Sequence, residues 1–258
     1  MAFRDLDICW RLGSSATIMT ISEWFAWEGL AFAASFISPK ALAAQSVINT
    51  TSSSTYQLPS ALSVAVSVRV GNLLGEQKSE NLSITTKAAL TASNIIALIN
   101  SLIFIVFRKD IGRLFTHDEE VIKLVSKIIP LVCFFQFTDG NISSMLGILR
   151  TTGRQLSGAI IQIAGFYVIG LPLALTFAFL TSVDVNNYWP LPTSENDRLI
   201  GLWLGMSIAL VVNLITVIYI IHNINWEKEC EDADVRIKGT TFVPDLIPNE
   251  RQSLLDHP

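Results

Sequence analysis

Three carboxylates, Glu23, Glu28 and Asp139, sit inside long apolar stretches of the chain. An acid at that depth in a membrane helix is costly, so it faces a cavity or a partner. Burial disfavours the charged form, which brings such an acid toward proton exchange near neutral pH. Glu23 and Glu28 are five positions apart and project roughly 140° from each other on a helix, so both cannot point to the centre of one cavity. Glu23 is the better aligned with Trp27, one turn on. The bland alternative for Glu28 is a hydrogen bond to a neighbouring helix. Asp139 follows the run 133–138 and precedes Gly140, Ser144 and Gly147, a small-residue stripe suited to close helix packing. It could also brace a helix break beside Gly140. An acid on each of two helices offers a cation site with the proton as competing ligand. Asn49 and Tyr56, seven apart and so on one face, join Trp27 as candidates for the substrate cavity.

The elements that must position these residues are read from hydropathy. Apolar residues make up 50% of the chain, charged residues only 16%, and the mean hydropathy is +0.47. A soluble domain carries about a quarter charged residues, and here the charges cluster between long apolar stretches, so lipid is the expected solvent. Six stretches are long enough to cross a bilayer, near 14–37, 43–72, 84–107, 119–149, 156–181 and 199–223. The expected fold is therefore an all-α membrane protein with six transmembrane helices over 14–223. A lead segment 1–13 precedes them and a polar tail, 224–258, follows. No cleavable signal peptide is visible, because Arg4, Asp5 and Asp7 interrupt the first ten residues.

An even number of crossings puts both ends on one side. That side collects Arg4, Arg11, Arg69, Lys78, Lys87, Arg150, Arg154 and the tail cations, against Lys40, the 108–127 cluster and Arg198 opposite. The bias favours cytoplasmic termini. The net charge of −4 argues against a nucleic-acid partner. Cys9, Cys133 and Cys230 lie far apart and are read as free thiols, with no metal spacing among them. The absence of a nucleophile–base–acid set or phosphate loop argues against an enzyme, and no cofactor is expected.

The run Thr50 to Thr55 with Pro59 reads first as a bend whose hydroxyls satisfy freed backbone groups, and second as cavity lining. Arg69, Arg150 and Arg154 read as topological anchors at helix ends. Three glycosylation triplets, at Asn49, Asn81 and Asn141, fall in membrane or on the cytoplasmic side and are discounted. In the tail, Pro244, Pro248 and Pro258 argue against a long terminal helix, and 250–255 fits an acidic dileucine sorting signal.

With these residues in view, a family resemblance emerges. Glu23-Trp24-Phe25-Ala26-Trp27-Glu28 resembles the segment that opens the second half of eukaryotic multidrug-and-toxin-extrusion (MATE) transporters, with both glutamates at the family spacing. Tyr56, Pro59, Ser63, Ala65, Ser67 and Arg69-Val70-Gly71-Asn72, ending at Gly75, resemble a second family motif, with Ala61 where glycine is usual. Gly147-Ile148-Leu149-Arg150 with Gly153-Arg154-Gln155 resembles a third, with Thr151 replacing a glycine. Tyr167 to Pro172, Gly201 to Gly205 and Trp226-Glu227 follow in family order. The match runs from about residue 10 to 235, and its substitutions look fungal or at least eukaryotic.

The resemblance implies one six-helix lobe, the C-terminal half, of a MATE-type transporter of the MOP superfamily, a secondary transporter. It implies that residues 1–13 are what remains of an interlobe linker. It implies proton-coupled efflux of xenobiotics or organic cations, with Glu23, Glu28 and Asp139 carrying protonation and cation binding. H+ is the expected coupling ion. The expected partners are membrane lipid, a small organic cation or drug, and a second six-helix lobe, missing from the chain or supplied in trans. The alternative is an isolated lobe that does not transport, a truncated product or a regulatory partner of a full transporter. The dileucine match leans toward a vacuolar or endosomal membrane, while the family allows the plasma membrane.

Overall fold

A computed structural model describes residues 6–180 and 195–240. Within α1 the side chains of several residues, Glu23 among them, lie outside the described set, as does that of Cys9. The dileucine-like run and the tail prolines also lie outside it. The described residues form α1 (Leu6–Ser35), α2 (Pro39–Gly75), α3 (Ser79–Val106), the short α4 (Arg108–Arg113) and α5 (Glu119–Thr151). A rod over Gln155–Leu180 follows, made of α6 (Gln155–Ile163), a π-helical stretch Ala164–Gly170, α7 (Leu171–Leu175) and a second π-helical stretch Thr176–Leu180. The last two helices are α8 (Glu195–His222) and α9 (Trp226–Thr240).

Of the six expected crossings, α1 is not among the helices whose described residues meet the length and hydropathy of a membrane span. Five helices, α2, α3, α5, the Gln155–Leu180 rod and α8, are long and apolar enough to span a membrane. The remaining one, α1, has 30 residues, a length of about 45 Å. Lipid explains the surface: Leu98, Ile99, Leu102, Ile103, Ile105 and Val106 at the end of α3 are all exposed. A contiguous apolar face of that kind is a liability in water and the normal state in a bilayer.

Helix starts follow local chemistry. Ser38 caps α2, its Oγ accepting from the Ala41 N–H at 3.1 Å, and Pro39 sits at the first turn, where its missing N–H costs nothing. Asp118 caps α5, accepting from the Glu120 N–H at 2.9 Å. Lys40 and Glu120 pair across these two starts. Pro172 lies between the two π-helical stretches, where a ring without an N–H interrupts the α-helical ladder.

Helix α5 is the centre of the lobe, buried along most of its second half. It packs on α2 through a seam of small polar residues. A Cβ at Gly147 would lie 2.5 Å from the Ser63 carbonyl oxygen, so only glycine admits this approach. Ser63 donates to the Ser143 carbonyl at 2.6 Å, Ser67 to Gly147 at 2.9 Å, and Thr151 to Ser67 at 3.2 Å. Interhelical bonds in membranes are worth only about 0.6 kcal/mol each, so the seam holds by their number and by close contact. Helix α3 packs on both α5 and α2, and its Leu82, Thr86, Ala89, Ser93, Ala97, Asn100 and Phe104 form one buried helical stripe.

The segment read as a polar tail opens as a helix. α9 packs on α2 and α3, with Cys230 and Ala233 buried. Burial and the neighbouring Glu229 push the Cys230 thiol above its ordinary range, which keeps it unreactive. Gln77, at φ 57° in the α2–α3 turn, sends its side-chain amide to the Cys230 carbonyl at 2.8 Å. Arg154, read from sequence as a topological anchor, also pairs with the buried Glu229 at 3.1 Å. Two turns on one end of the lobe are thereby tied to α9. Arg154→Ala is expected to raise deuterium exchange of the α9 amides about fivefold, from a loss on the order of 1 kcal/mol. Unchanged exchange would show that α9 is held by its apolar contacts alone.

Candidate functional site

Helices α1, α2 and α5 enclose a cavity of about 100 Å³. From α1 it takes Trp24, Trp27 and Glu28; from α2, Asn49, Ser52, Ser53 and Tyr56; from α5, Phe135, Gln136 and Asp139. Each set follows helical spacing: 24, 27 and 28 share a face, as do 49, 52, 53 and 56, and 135, 136 and 139. Glu28 is exposed on the cavity side of the lobe, while Asp139, Asn49, Tyr56 and Trp27 are half-buried. Five of the six candidates read from sequence therefore meet at one place. The sixth, Glu23, lies on α1 with its side chain outside the described set.

The wall behind the carboxylates is aromatic. Trp27 meets Phe135 edge-on with ring centres 5.1 Å apart, and Trp203 of α8 completes a triad at 5.6 Å from Trp27 and 5.3 Å from Phe135. The fully buried Trp203 donates its indole N–H to Gln45 at 2.9 Å, which fixes the ring that backs the site. Such edge-to-face pairs add about 0.5–1.5 kcal/mol beyond burial and orient the tryptophan face. Carboxylates beside tryptophan and tyrosine faces suit a cation, through charge pairing and through the ring quadrupole.

The polar rim is organised by hydrogen bonds between helices. Tyr56 O–H lies 3.2 Å from Ser143 Oγ, and Gln136 donates to the Ser52 carbonyl at 3.2 Å and to Thr55 Oγ1 at 3.1 Å. Gln136 and Trp203 were not among the candidates read from sequence, whereas Ser52 belongs to the Thr50–Thr55 run. The signal for Gln136 was an amide inside the apolar run 128–137. Trp203 gave no local signal, since an apolar aromatic in an apolar helix is ordinary core.

The Ser/Thr run lines the cavity in part. Thr51, Ser54 and Thr55 donate to carbonyls one turn back (Val47, Thr50 and Thr51), within a helix α2 that runs on through Pro59. Ser52 and Ser53 line the cavity. Pro59 itself is buried, and a Cβ at Gly140 would lie 3.3 Å from its ring. The stripe after Asp139 thus sets the distance between α2 and α5 at the floor of the site.

Pockets that enclose a drug-sized molecule run about 300–1,000 Å³, so this lobe alone forms a wall of such a site and does not enclose it. Among the described residues no group of three or more metal-ligating side chains is gathered.

Comparison with known proteins finds relatives of nearly the whole chain in sequence and in fold. The chain is 31% identical over 237 residues to Multidrug and toxin extrusion protein 1 of Oryctolagus cuniculus, covering 92% of this chain and 39% of that protein. It is 29% identical over 236 residues to an uncharacterised transporter of Schizosaccharomyces pombe, covering 92% and 42%. The crystal structure of the eukaryotic MATE transporter AtDTX14 superposes with a TM-score of 0.79 at 27% identity, covering 91% of this chain and 50% of that one. The chain thus spans about two fifths of the curated relatives it matches. The MatE family profile matches residues 16–176, well over half of the sequence, and the chain belongs to that family.

Proposed function

We propose that this chain acts as the C-terminal, cation- and proton-binding lobe of an antiporter that exports xenobiotic or organic-cation substrates in exchange for protons. The observation that carries this reading is the convergence of Glu28 and Asp139, from separate helices, on one cavity faced by Trp24, Trp27 and Tyr56. Deprotonated Asp139, with Glu23, holds the cation against the aromatic wall. Proton entry from the acidic side neutralises the acids and releases it. Glu28 shares the proton or tunes the site. Both termini lie on the cytoplasmic side, and the second wall of the cavity comes from another six-helix lobe, joined to this one or supplied in trans. Alternating access between two such lobes is the general route for secondary transporters built from repeats.

A second reading concerns this lobe by itself, which forms one wall of the cavity. In it, the lobe alone does not transport and binds or regulates a full transporter. Reconstitution into liposomes with an imposed pH gradient separates the two. A two-lobe protein carrying this sequence is expected to release protons on addition of a tetraalkylammonium ion. If the two-lobe protein shows no cation-dependent proton flux, the antiport reading fails. If it does and the lone chain is silent and monomeric, export requires the second lobe and the chain by itself fits the second reading.

A further inference from the structure

Helices α3 and α8 both pack on α5 and, among the described residues, not on each other. The space between them is a furrow of about 350 Å³, more than three times the cavity described above. Its floor is Met145 of α5, fully buried, and its walls are Leu90 of α3 and Ile218 of α8. At the end nearest the α8–α9 turn the lining changes character. Lys87 of α3 and His222 of α8, both exposed, line the furrow there together with Ser83. Trp226, the first residue of α9, closes that end. Among the described residues the Lys87 ammonium makes no ion pair or hydrogen bond, and its stem leaves it free to reach toward the membrane boundary.

We propose that this furrow holds one anionic glycerophospholipid, with its phosphate between Lys87 and His222 and one acyl chain along Leu90 and Ile218 over Met145. The ammonium, an imidazole N–H and a hydroxyl supply three donors for a phosphate that accepts only. A tryptophan at the mouth matches the headgroup level, where such rings collect, and basic pockets between membrane helices take anionic headgroups. The apolar lower half distinguishes a lipid from a free phosphate ion, which would leave Met145, Leu90 and Ile218 against water. The proposal rests on the membrane-spanning reading of α3, α5 and α8, and not on the antiport mechanism.

The test is native mass spectrometry of the purified chain in a nonionic detergent. Dioleoylphosphatidylglycerol is titrated, with dioleoylphosphatidylcholine and inorganic phosphate as comparison arms. One phosphatidylglycerol is expected to stay bound after phosphatidylcholine has been stripped. The double variant Lys87→Gln/His222→Gln, whose exposed positions spare the core, is expected to bind it about tenfold more weakly. Leu90→Trp keeps both cations but fills the furrow, and it is expected to lose the lipid. Equal retention of the two lipids overturns the proposal, as does an unchanged affinity in the double variant. Displacement of phosphatidylglycerol by millimolar phosphate overturns the lipid assignment and leaves an anion site. None of these readouts depends on transport, so failure here and failure of the antiport reading are separate results.

Discussion

Asp139→Asn, introduced into a complete two-lobe transporter carrying this lobe, is expected to lower proton-driven cation efflux at least about thirtyfold at equal surface expression. Removing one partner of a desolvated charge pair costs at least about 2 kcal/mol, and 1.4 kcal/mol is a factor of ten. Asp139 is half-buried at the floor of the cavity, one turn from Phe135 and Gln136, so water screens it less than a surface acid. The sign with pH follows from the chemistry. A carboxylate binds the cation when ionised, above its pKa, and releases it when protonated. Asparagine mimics the protonated state at every pH, so residual efflux should also lose its dependence on the proton gradient. Glu23→Gln should behave in the same way if its side chain joins the site. Glu28→Gln, at an exposed position, should shift the pH profile more than it lowers the maximum. Normal, pH-dependent efflux in both Asp139→Asn and Glu23→Gln would sink the mechanism.

The largest effect on stability is expected at Gly205. A Cβ there would fall inside the backbone of Ala174 and lie 2.6 Å from the Leu173 carbonyl carbon. Because the obstruction is main chain, no rotamer change relieves it, and α7 and α8 must separate. Gly201 meets the Phe177 carbonyl oxygen at 2.7 Å by the same measure, so the whole contact is built on glycine. Overpacking costs about 1–3 kcal/mol where side chains can yield, and a backbone obstruction belongs at the top of that range. Gly205→Ala should therefore lower the thermal midpoint of the detergent-solubilised chain markedly. Gly75→Ala, at an exposed position with no atom within 4 Å of the added Cβ, should leave it within about 0.5 kcal/mol of the parent. Equal midpoints for the two variants would show that α7 and α8 are not held at the distance described.

Much of the lobe was legible before any coordinate. Apolar runs of more than twenty residues have one stable form in lipid, because a spanning segment must satisfy its own backbone, and the helix ends fell within a few residues of those read from hydropathy for α2, α5 and the Gln155–Leu180 rod. Two additions lie at the ends: α1 is helical from Leu6, within the segment read as leading into the first crossing, and α9 follows the last. Helix α9 is polar on average and too short to span a bilayer, so a reading by hydropathy passes over it, and it packs on α2 and α3. Helical spacing also placed Asn49 with Tyr56 correctly on one face of α2.

What sequence determined by itself was therefore local and periodic: which segments enter lipid, which carboxylates lie inside them, and which family the motif order resembles. Tertiary structure decided what periodicity cannot carry, namely which faces of different helices meet. It brought Asp139 to Glu28 across more than a hundred residues, set Trp203 behind Trp27 from another helix, and left α3 and α8 apart over Met145. The physical reason is that a helix face is fixed by 3.6 residues per turn, whereas its neighbour is fixed by close packing at residues such as Gly147 and Gly205, where one missing methyl sets the distance between two rods.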